Sequence, residues 1–258
     1  MPFDLPRFQL SAATREALAE ARDTPTSYQL RCLYAPESER LLVVLGEAHL
    51  KLAAAHRLGE RIVPGFSLRG VETFPRTAFL GRLLRLLIHG PRLALMLLSL
   101  GLVKGSTITT AFEQPDGTTV KLESEDDVPL SLHVASAHLT LVFLLLFGSL
   151  LTTLLGVPSP VLGAATLAVE IHLLLTLLPA YALRAHAFHW WLNPTVAILT
   201  TRDRTMADGT MRLLRDHPTP REAVVVMGRA HLRGYCQQLI DHQGFVAIDP
   251  VLLGIGRA

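Results

Sequence analysis

The sequence is poor in cysteine and has no strong excess of charge of either sign. Two cysteines among 258 residues, Cys32 and Cys236, are too few for a disulfide framework and fit a reducing compartment, with a single bridge as the alternative. A formal net charge of +2 gives no electrostatic reason to expect a nucleic-acid partner. Residues 1–20 lack the apolar stretch of a signal peptide, so no such peptide is expected there.

Apolar side chains are in excess, and they are concentrated in two long runs. Half of all residues are apolar. Residues 139–157 contain no charged side chain, and residues 161–183 are interrupted only by Glu170 and His172. Crossing the hydrocarbon of a bilayer takes about 20 apolar residues in a helix. We therefore predict a transmembrane helical hairpin over residues 139–183, with an apolar hairpin buried in a soluble core as the alternative.

The distribution of basic residues predicts the orientation of this hairpin. The turn between the two runs carries no Lys or Arg, and nearly all basic residues lie in the flanking segments. Because basic segments stay on the cytoplasmic side, both flanks are expected in the cytoplasm, in a multi-pass protein of the inner membrane. Glu170 and His172 inside the second run favour contacts with further helices, so a homo-oligomer is also predicted.

Two short apolar runs at opposite ends of the sequence predict the fold of the flanks. Residues 41–45 read LLVVL and residues 223–227 read AVVVM, and each run is followed by a glycine and a helix-forming stretch. Continuous runs of this kind are typical of strands buried on both faces of a sheet. We predict an α/β domain, a sheet with flanking helices, assembled from residues 1–130 and 184–258, with the hairpin inserted between them.

The segment between the first strand run and the hairpin predicts two further features. Residues 76–103 are rich in Leu and Arg and predict helix with a break at Gly90-Pro91. This segment is either a basic amphipathic helix on a membrane surface or a pair of core helices. Asp116-Gly117 lies between two β-rich runs, and this pattern predicts a β-hairpin over residues 107–122.

The strongest functional signal is a motif that occurs twice. Gly46-Glu47-Ala48-His49 follows the first strand run, and Gly228-Arg229-Ala230-His231 follows the second. Ligands of open α/β sheets bind outside the carboxyl ends of the strands, so both histidines are expected to share one polar pocket with Glu47 and Glu72. Such a set can hold a divalent metal ion that polarises water, or it can act without metal, with one His as the base.

These residues resemble the motifs of the TraB/PrgY/TIKI family. The matching features are the two Gly-X-X-His motifs, Glu72 after the first, Arg202-Asp203 before the second, and Gly234 after it. The resemblance covers residues 41–75 and 198–248. It implies an α/β fold related to the erythromycin-esterase and ChaN-like group, and metal-dependent peptidase activity as proposed for TIKI proteins. The sequence differs from the family in carrying its hydrophobic hairpin between the two motifs.

The residues and the resemblance together define a candidate site. His49, His231 and Glu72 are predicted as metal ligands, with Mn, Co or Zn as the expected ion, or as an acid/base set. Glu47 is predicted as the base or a further ligand. Arg202 is predicted to clamp a substrate carboxylate or an oxyanion, with a salt bridge to a neighbouring aspartate as the alternative.

The predicted function is that of a membrane-anchored hydrolase that faces the cytoplasm, first of all a metal-dependent peptidase of the TraB/TIKI type that acts through the paired motifs. Its expected substrate is a peptide or a small ester or amide. One alternative is a membrane protein that binds or sequesters a peptide without hydrolysing it. The other is a small transporter subunit built on the hairpin, with Glu170 and His172 as its polar core.

Overall fold

The chain forms two compact units, each assembled from separate stretches of the sequence. The computed structural model describes residues 8–100, 102–157, 159–183 and 194–255, with side chains in the third range as far as residue 175. The first unit contains Met1–Thr73, Arg92–Glu123 and Asp203–Ala258, and the second contains Phe74–Pro91 and Ser124–Arg202.

The elements are numbered in chain order. The helices are α1 (Ala12–Arg22), α2 (Ala53–Ile62), α3 (Gly81–Leu98), α4 (Ile108–Glu113), α5 (Leu130–Leu154), α6 (Pro160–Leu183), α7 (Thr200–Asp216) and α8 (Leu232–Gln243). The strands are β1 (Tyr28–Ala35), β2 (Arg40–Glu47), β3 (Lys51–Leu52), β4 (Leu68–Val71), β5 (Val103–Lys104), β6 (Thr118–Lys121), β7 (Glu222–Gly228) and β8 (Val246–Ile248). Short 3₁₀ turns occupy Val63–Gly65, Pro194–Ile198 and Pro250–Leu253.

A six-stranded mixed sheet forms the centre of the first unit. Its strand order is β6-β4-β7-β2-β1-β8, so strands from both ends of the sequence lie side by side. The strands β2 and β7 are parallel, with Leu41 opposite Glu222 and Glu47 opposite Gly228. The strands β4 and β6 continue the parallel part, whereas β1 is antiparallel to both β2 and β8. The predicted α/β sheet with flanking helices is confirmed.

The two predicted strand runs are buried because helices cover both faces of the sheet. Leu41, Val43 and Leu45 belong to one hydrophobic cluster, which also contains buried residues of α1 and α2. The alternating residues Leu42 and Val44 belong to a second cluster, with buried residues of α7 and α8. All eight residues of β2 are buried, as expected for a strand in the interior of a layered α/β domain.

Two local predictions are wrong. The helix does not break at Gly90-Pro91, because α3 continues through Pro91 as one element, although a proline cannot donate the backbone hydrogen bond of that position. Residues 108–113 form helix α4, with Thr110 and Ala111 buried, rather than the first strand of a β-hairpin. Asp116-Gly117 therefore joins a helix to strand β6, with Gly117 at a positive φ of 87°.

The second unit contains two long apolar helices, α5 and α6, that pack antiparallel. The rings of His138 and His172 are 6.4 Å apart between centres, and Thr166 Oγ1 lies 3.4 Å from the Leu145 carbonyl. In the part of the chain that the structure describes, α5 is the one helix long and apolar enough to cross a membrane, and the apolar stretch Pro160–Leu175 of α6 is shorter. That the pair forms a transmembrane hairpin stays a prediction.

Candidate active site

The two motifs meet because β2 and β7 are parallel neighbours. The backbone N–H of Arg229 donates to the Glu47 carbonyl at 2.9 Å, so the chain leaves both strands at the same edge of the sheet. The strand β4 lies on the other side of β7 and brings Glu72 to this edge, where its backbone N–H donates to the Val226 carbonyl at 3.0 Å. This edge is where parallel α/β sheets bind their ligands.

His231 lies between two carboxylates. Its Nδ1 is 2.7 Å from Asp203 Oδ1, and its Nε2 is 3.5 Å from Glu72 Oε1. All three side chains are buried. Because an ionised carboxylate only accepts hydrogen bonds, Nδ1–H donates to Asp203 and Nε2 faces Glu72. An aspartate on one nitrogen fixes the tautomer and orientation of the ring, as it does in acid/base dyads.

Gly228 brings His49 to the same glutamate. Its backbone N–H donates to Glu72 Oε2. A Cβ built on Gly228 would lie 2.7 Å from His49 Nε2 and 3.2 Å from Glu72 Oε2, so any side chain larger than hydrogen would collide with the imidazole. His49 Nε2 and Glu72 Oε2 therefore lie no farther apart than the sum of their distances from this Cβ position. His49, His231 and Glu72 are therefore brought together at one edge of the sheet.

The surroundings of His49 favour its neutral form. Burial lowers the pKa of His49 below its usual value of 6.5, and Arg92 and His231 lower it as well, while the charges of Glu72 and Glu47 raise it. A half-buried imidazole in this state stays neutral at neutral pH and can hydrogen-bond a substrate group. Arg92 of α3 supplies a positive charge close to His49 and Glu72, and no pattern in the sequence had singled out this arginine.

Glu47 is engaged in a network of its own. Lys51 Nζ is 2.7 Å from Glu47 Oε2, and both side chains are fully buried. The backbone N–H of Thr107 lies 3.0 Å from each carboxylate oxygen, and the Ser106 hydroxyl donates to Oε1. Lys51 also lies 5.2 Å from the centre of the Tyr28 ring. A carboxylate with these partners and no exposed surface fits a structural role, so the predicted role of Glu47 as base or ligand finds no support here.

Arg202 and Asp203 are adjacent in α7 but have different surroundings. The buried Arg202 belongs to the second unit, where its guanidinium lies 5.3 Å from the centre of the Phe74 ring. Asp203 belongs to the first unit and bonds His231. The aspartate of the Arg-Asp pair is thus the residue that contacts the motif histidine, and the clamp role of Arg202 stays a prediction.

Two further glycines make room for side chains of the site. Gly234 lies three residues after His231 in α8, and a Cβ there would overlap the Asp203 carboxylate. In the first motif, a Cβ on Gly46 would lie 3.0 Å from Leu232 of the second motif. The structure thus identifies which side chain occupies the space beside each of these glycines.

The predicted metal site is not found. In the described residues no group of three or more His, Cys, Asp or Glu side chains is arranged to hold a metal ion. The role of His49, Glu72 and His231 as ligands of Mn, Co or Zn therefore gains no support from the described residues and stays a prediction. The direct pairing of His231 with Asp203 and Glu72 supports the acid/base interpretation instead.

The cysteines take no part in this site. Cys32 and Cys236 are both free and buried, so the alternative of a single bridge is wrong. Burial raises the pKa of both thiols to about 12. Thiols in this state are inert at neutral pH.

Comparison of the chain with protein-family models, curated proteins and solved structures gave no match. The TraB/PrgY/TIKI resemblance therefore rests on the sequence motifs alone and stays a prediction. Function has to be argued from the geometry of the site.

Proposed function

We propose that the chain is a membrane-anchored hydrolase that cleaves a peptide or a small ester or amide by acid/base catalysis. One observation carries the proposal: His231 lies between Asp203 and Glu72, and His49 lies beside the same Glu72. A histidine oriented by a buried carboxylate is the usual arrangement of a general base.

In this proposal His231 activates water. With Nδ1–H bonded to Asp203, Nε2 takes a proton from a water molecule that attacks the substrate carbonyl. The carboxylates on both sides stabilise the positive charge that the ring then carries. The ring returns the proton to the leaving amine or alkoxide, so no net charge is left at the site.

His49 and Arg92 are proposed to act on the substrate oxygen. The lowered pKa of His49 keeps its imidazole neutral, so it can hydrogen-bond the carbonyl without forming a fixed ion pair with Glu72. Arg92 provides the positive charge that stabilises an oxyanion as the carbonyl is attacked.

The proposed membrane anchor is the α5/α6 pair, with the flanks in the cytoplasm and the pair in the inner membrane. The length and apolarity of α5 support it. So do the exposed large apolar side chains of both helices, which form a surface that water does not favour. They are Leu141, Leu144, Phe147, Leu150, Leu151 and Leu154 on α5 and Val161, Leu167, Ile171, Leu174 and Leu175 on α6. Polar groups within the pair favour a homo-oligomer.

The test uses the full chain in lipid nanodiscs and a panel of chromogenic peptides, anilides and esters. His231→Asn and Asp203→Asn are each expected to lower kcat/KM about 10²-fold or more, because the first removes the base and the second its orientation. His242→Asn, at the exposed end of α8, is the matched control and keeps the wild-type rate. Wild-type turnover by His231→Asn, or no turnover of any substrate by the native chain, would contradict the proposal.

Chelation separates the acid/base proposal from the metal-dependent peptidase that the family resemblance implies. After dialysis against EDTA, the acid/base mechanism retains full hydrolysis. The metal-dependent mechanism would replace the acid/base mechanism if dialysis abolishes hydrolysis and added Mn, Co or Zn restores it. In that case the metal should not restore hydrolysis in the His49→Asn variant.

A further inference from the structure

The first unit exposes a group of leucines that its core does not use. We call them the leucine lobe: Leu52, Leu93, Leu95, Leu97, Leu98, Leu100 and Leu102. They come from β3, from the last turns of α3 and from the loop after it, and the Ala53 N–H donates to the Leu102 carbonyl at 3.0 Å, which joins these segments. Leu98 is 81% and Leu100 is 92% exposed. Exposed apolar surface gathered in this way marks an interaction site.

Leu100, the most exposed residue of the lobe, also has an unusual backbone conformation. Its φ is 51°, in the left-handed region where glycine and asparagine are the favoured residues. A leucine in this turn strains the backbone and also exposes its side chain to water. The exposure of the side chain is relieved if it enters an apolar phase.

The charge of this part of the chain indicates which apolar phase it is. Residues 73–112 contain no Asp or Glu, and they contain five basic residues: Arg76, Arg82, Arg85, Arg92 and Lys104. The whole chain has a net charge of only +2, so the positive charge is concentrated here. Helix α3 and the loop after it are therefore rich in leucine and carry basic but no acidic residues, and this composition complements a bilayer that contains anionic lipids. A second copy of the chain would instead bring like charges together.

We propose that the leucine lobe docks into the surface of a bilayer that contains anionic lipids. The leucine side chains enter the boundary of the acyl chains, and the basic side chains of Arg82 and Lys104 lie among the lipid phosphates. This contact is separate from the α5/α6 anchor and does not depend on hydrolase activity. Leu52 follows His49 by three residues, so docking holds the candidate site at the lipid surface.

The experiment measures the depth of single dyes on the full chain in vesicles. An environment-sensitive NBD dye is attached to cysteine introduced at Leu98, at Leu100, or at Glu37 in the exposed β1–β2 turn as the control. The same dye at Leu144 reports on α5. The vesicles are phosphatidylcholine with or without phosphatidylglycerol, and they contain lipids with a shallow or a deep nitroxide quencher. We expect blue-shifted emission and stronger shallow than deep quenching at 98 and 100, and neither effect at 37.

Substitution of basic residues tests the anionic lipid. In the Leu100-labelled chain, Arg82→Gln with Lys104→Gln is expected to abolish the extra quenching that phosphatidylglycerol produces. Arg57→Gln with Lys121→Gln removes the same charge elsewhere and should leave it unchanged. If phosphatidylglycerol still increases the quenching in the Arg82→Gln with Lys104→Gln variant, the anionic-lipid part of the proposal is wrong.

Each remaining outcome decides either the docking or the anchor. The docking is wrong, and the anchor is supported, if the dyes at 98 and 100 emit and quench like the solvent-exposed dye at 37 while the lipid quenchers act on the dye at 144. Dyes that are shielded but not quenched by lipid, in a chain that crosslinks to a second copy, assign the lobe to self-association and also overturn it. Lipid quenching at 98 and 100 without quenching at 144 supports the docking and contradicts the anchor.

Discussion

At the scale of single residues, the buried charges around the candidate site are balanced locally. Glu47 pairs with Lys51, Asp203 bonds His231, and Glu72 accepts a backbone hydrogen bond from Gly228. Burying an unpaired charge costs several kcal/mol, whereas a paired and hydrogen-bonded charge is tolerated. The two networks differ in what their groups can do. The Glu47 network is closed to solvent, while the half-buried His49 beside Glu72 gives the other network a route to the outside.

The first prediction concerns the closed network. Glu47→Gln keeps an oxygen for the Thr107 N–H but leaves Lys51 without its counter-charge, so the chain is expected to lose about 3 kcal/mol of unfolding free energy. Burial already lowers the pKa of Lys51, and the charge of Glu47 opposes this, so Lys51 should become neutral more easily in the variant. Denaturant unfolding in detergent measures the loss.

A double substitution is the control for this prediction. Glu47→Leu with Lys51→Met removes both charges together and should be more stable than Glu47→Gln, because no buried charge is left unpaired. If Glu47→Gln unfolds at the native midpoint, the structural role of Glu47 is wrong and a catalytic role has to be reconsidered.

The second prediction concerns the protonation of His49. Its pKa in the folded chain is lowered, chiefly by burial, so on acidification the unfolded chain takes up this proton first. The stability contributed by neutral His49 is therefore fully present above its ordinary value of 6.5 and is lost as pH falls through the folded pKa. Titration of the imidazole by NMR should give a midpoint below 6.5 for His49.

Arg92 provides the means to test the cause of this shift. Arg92→Gln removes a positive charge that lowers the pKa of His49, so the midpoint should rise. Arg57→Gln on α2 serves as the control and should leave it unchanged. A midpoint at or above 6.5 in the native chain would contradict the neutral role assigned to His49.

At the scale of elements, glycines decide how closely helices and strands approach around the site. Gly228 ends β7 where the His49 imidazole lies, and Gly234 in α8 faces the Asp203 carboxylate of α7. Gly209 of α7 comes so close to the Leu122 backbone at the end of β6 that a Cβ would overlap it. At each of these glycines, two segments that are far apart in the sequence come into close contact. A larger residue in place of the glycine would keep the two segments apart.

The third prediction follows from Gly234. Gly234→Ala places a methyl group where the Asp203 carboxylate now lies, and that short side chain can move away only by releasing His231. We expect hydrolysis, measured well below the melting temperature, to fall about as far as in Asp203→Asn. The melting temperature should also fall, because a buried carboxylate loses its partner. The double variant Gly234→Ala with Asp203→Asn should lose no more hydrolytic activity than either single variant, because both substitutions remove the same contact between residue 203 and His231.

Gly90→Ala is the matched control, since a Cβ at this glycine of α3 meets no atom within 4 Å. Alanine in place of a helix glycine with free space stabilises by about 0.5–1 kcal/mol, so this variant should melt slightly higher with unchanged activity. Native turnover by Gly234→Ala would show that the Asp203–His231 contact is dispensable.

At the scale of the whole molecule, one compact unit is built from both ends of the chain and from a segment of the middle. The neighbours β2 and β7 are separated in sequence by residues 48–221, yet they pair over seven residues. Inserting a helical pair between them is compatible with this pairing because lengthening a connection costs little further entropy. The catalytic proposal therefore depends on contacts that form only when the two ends associate.

The fourth prediction concerns the orientation of the anchor. With a transmembrane hairpin and cytoplasmic flanks, Ser159→Cys between α5 and α6 should react with a membrane-impermeant maleimide added to intact cells. Glu37→Cys in the first unit should react only after the membrane is opened. The native cysteines are buried and give a low background. Reaction of both positions from the same side would rule out the hairpin.

The sequence by itself determined the two central strands and the paired motifs. Residues 41–45 and 223–227 are apolar without alternation, and such runs are stable only where both faces of a strand are covered, so local composition was sufficient to predict them. Since each motif directly follows its strand, the meeting of His49 with Glu72 and His231 followed once those strands were neighbours.

Only the tertiary structure decided which other side chains meet at this edge. Three features depend on contacts between segments far apart in the chain, which no local sequence pattern predicts. They are the contact of His231 with Asp203 rather than with Arg202, the closed network around Glu47, and the position of Arg92 close to His49. A carboxylate next to a Gly-X-X-His motif reads the same in sequence whether it faces a lysine or a substrate. Its partner, and with it its chemistry, is set by packing.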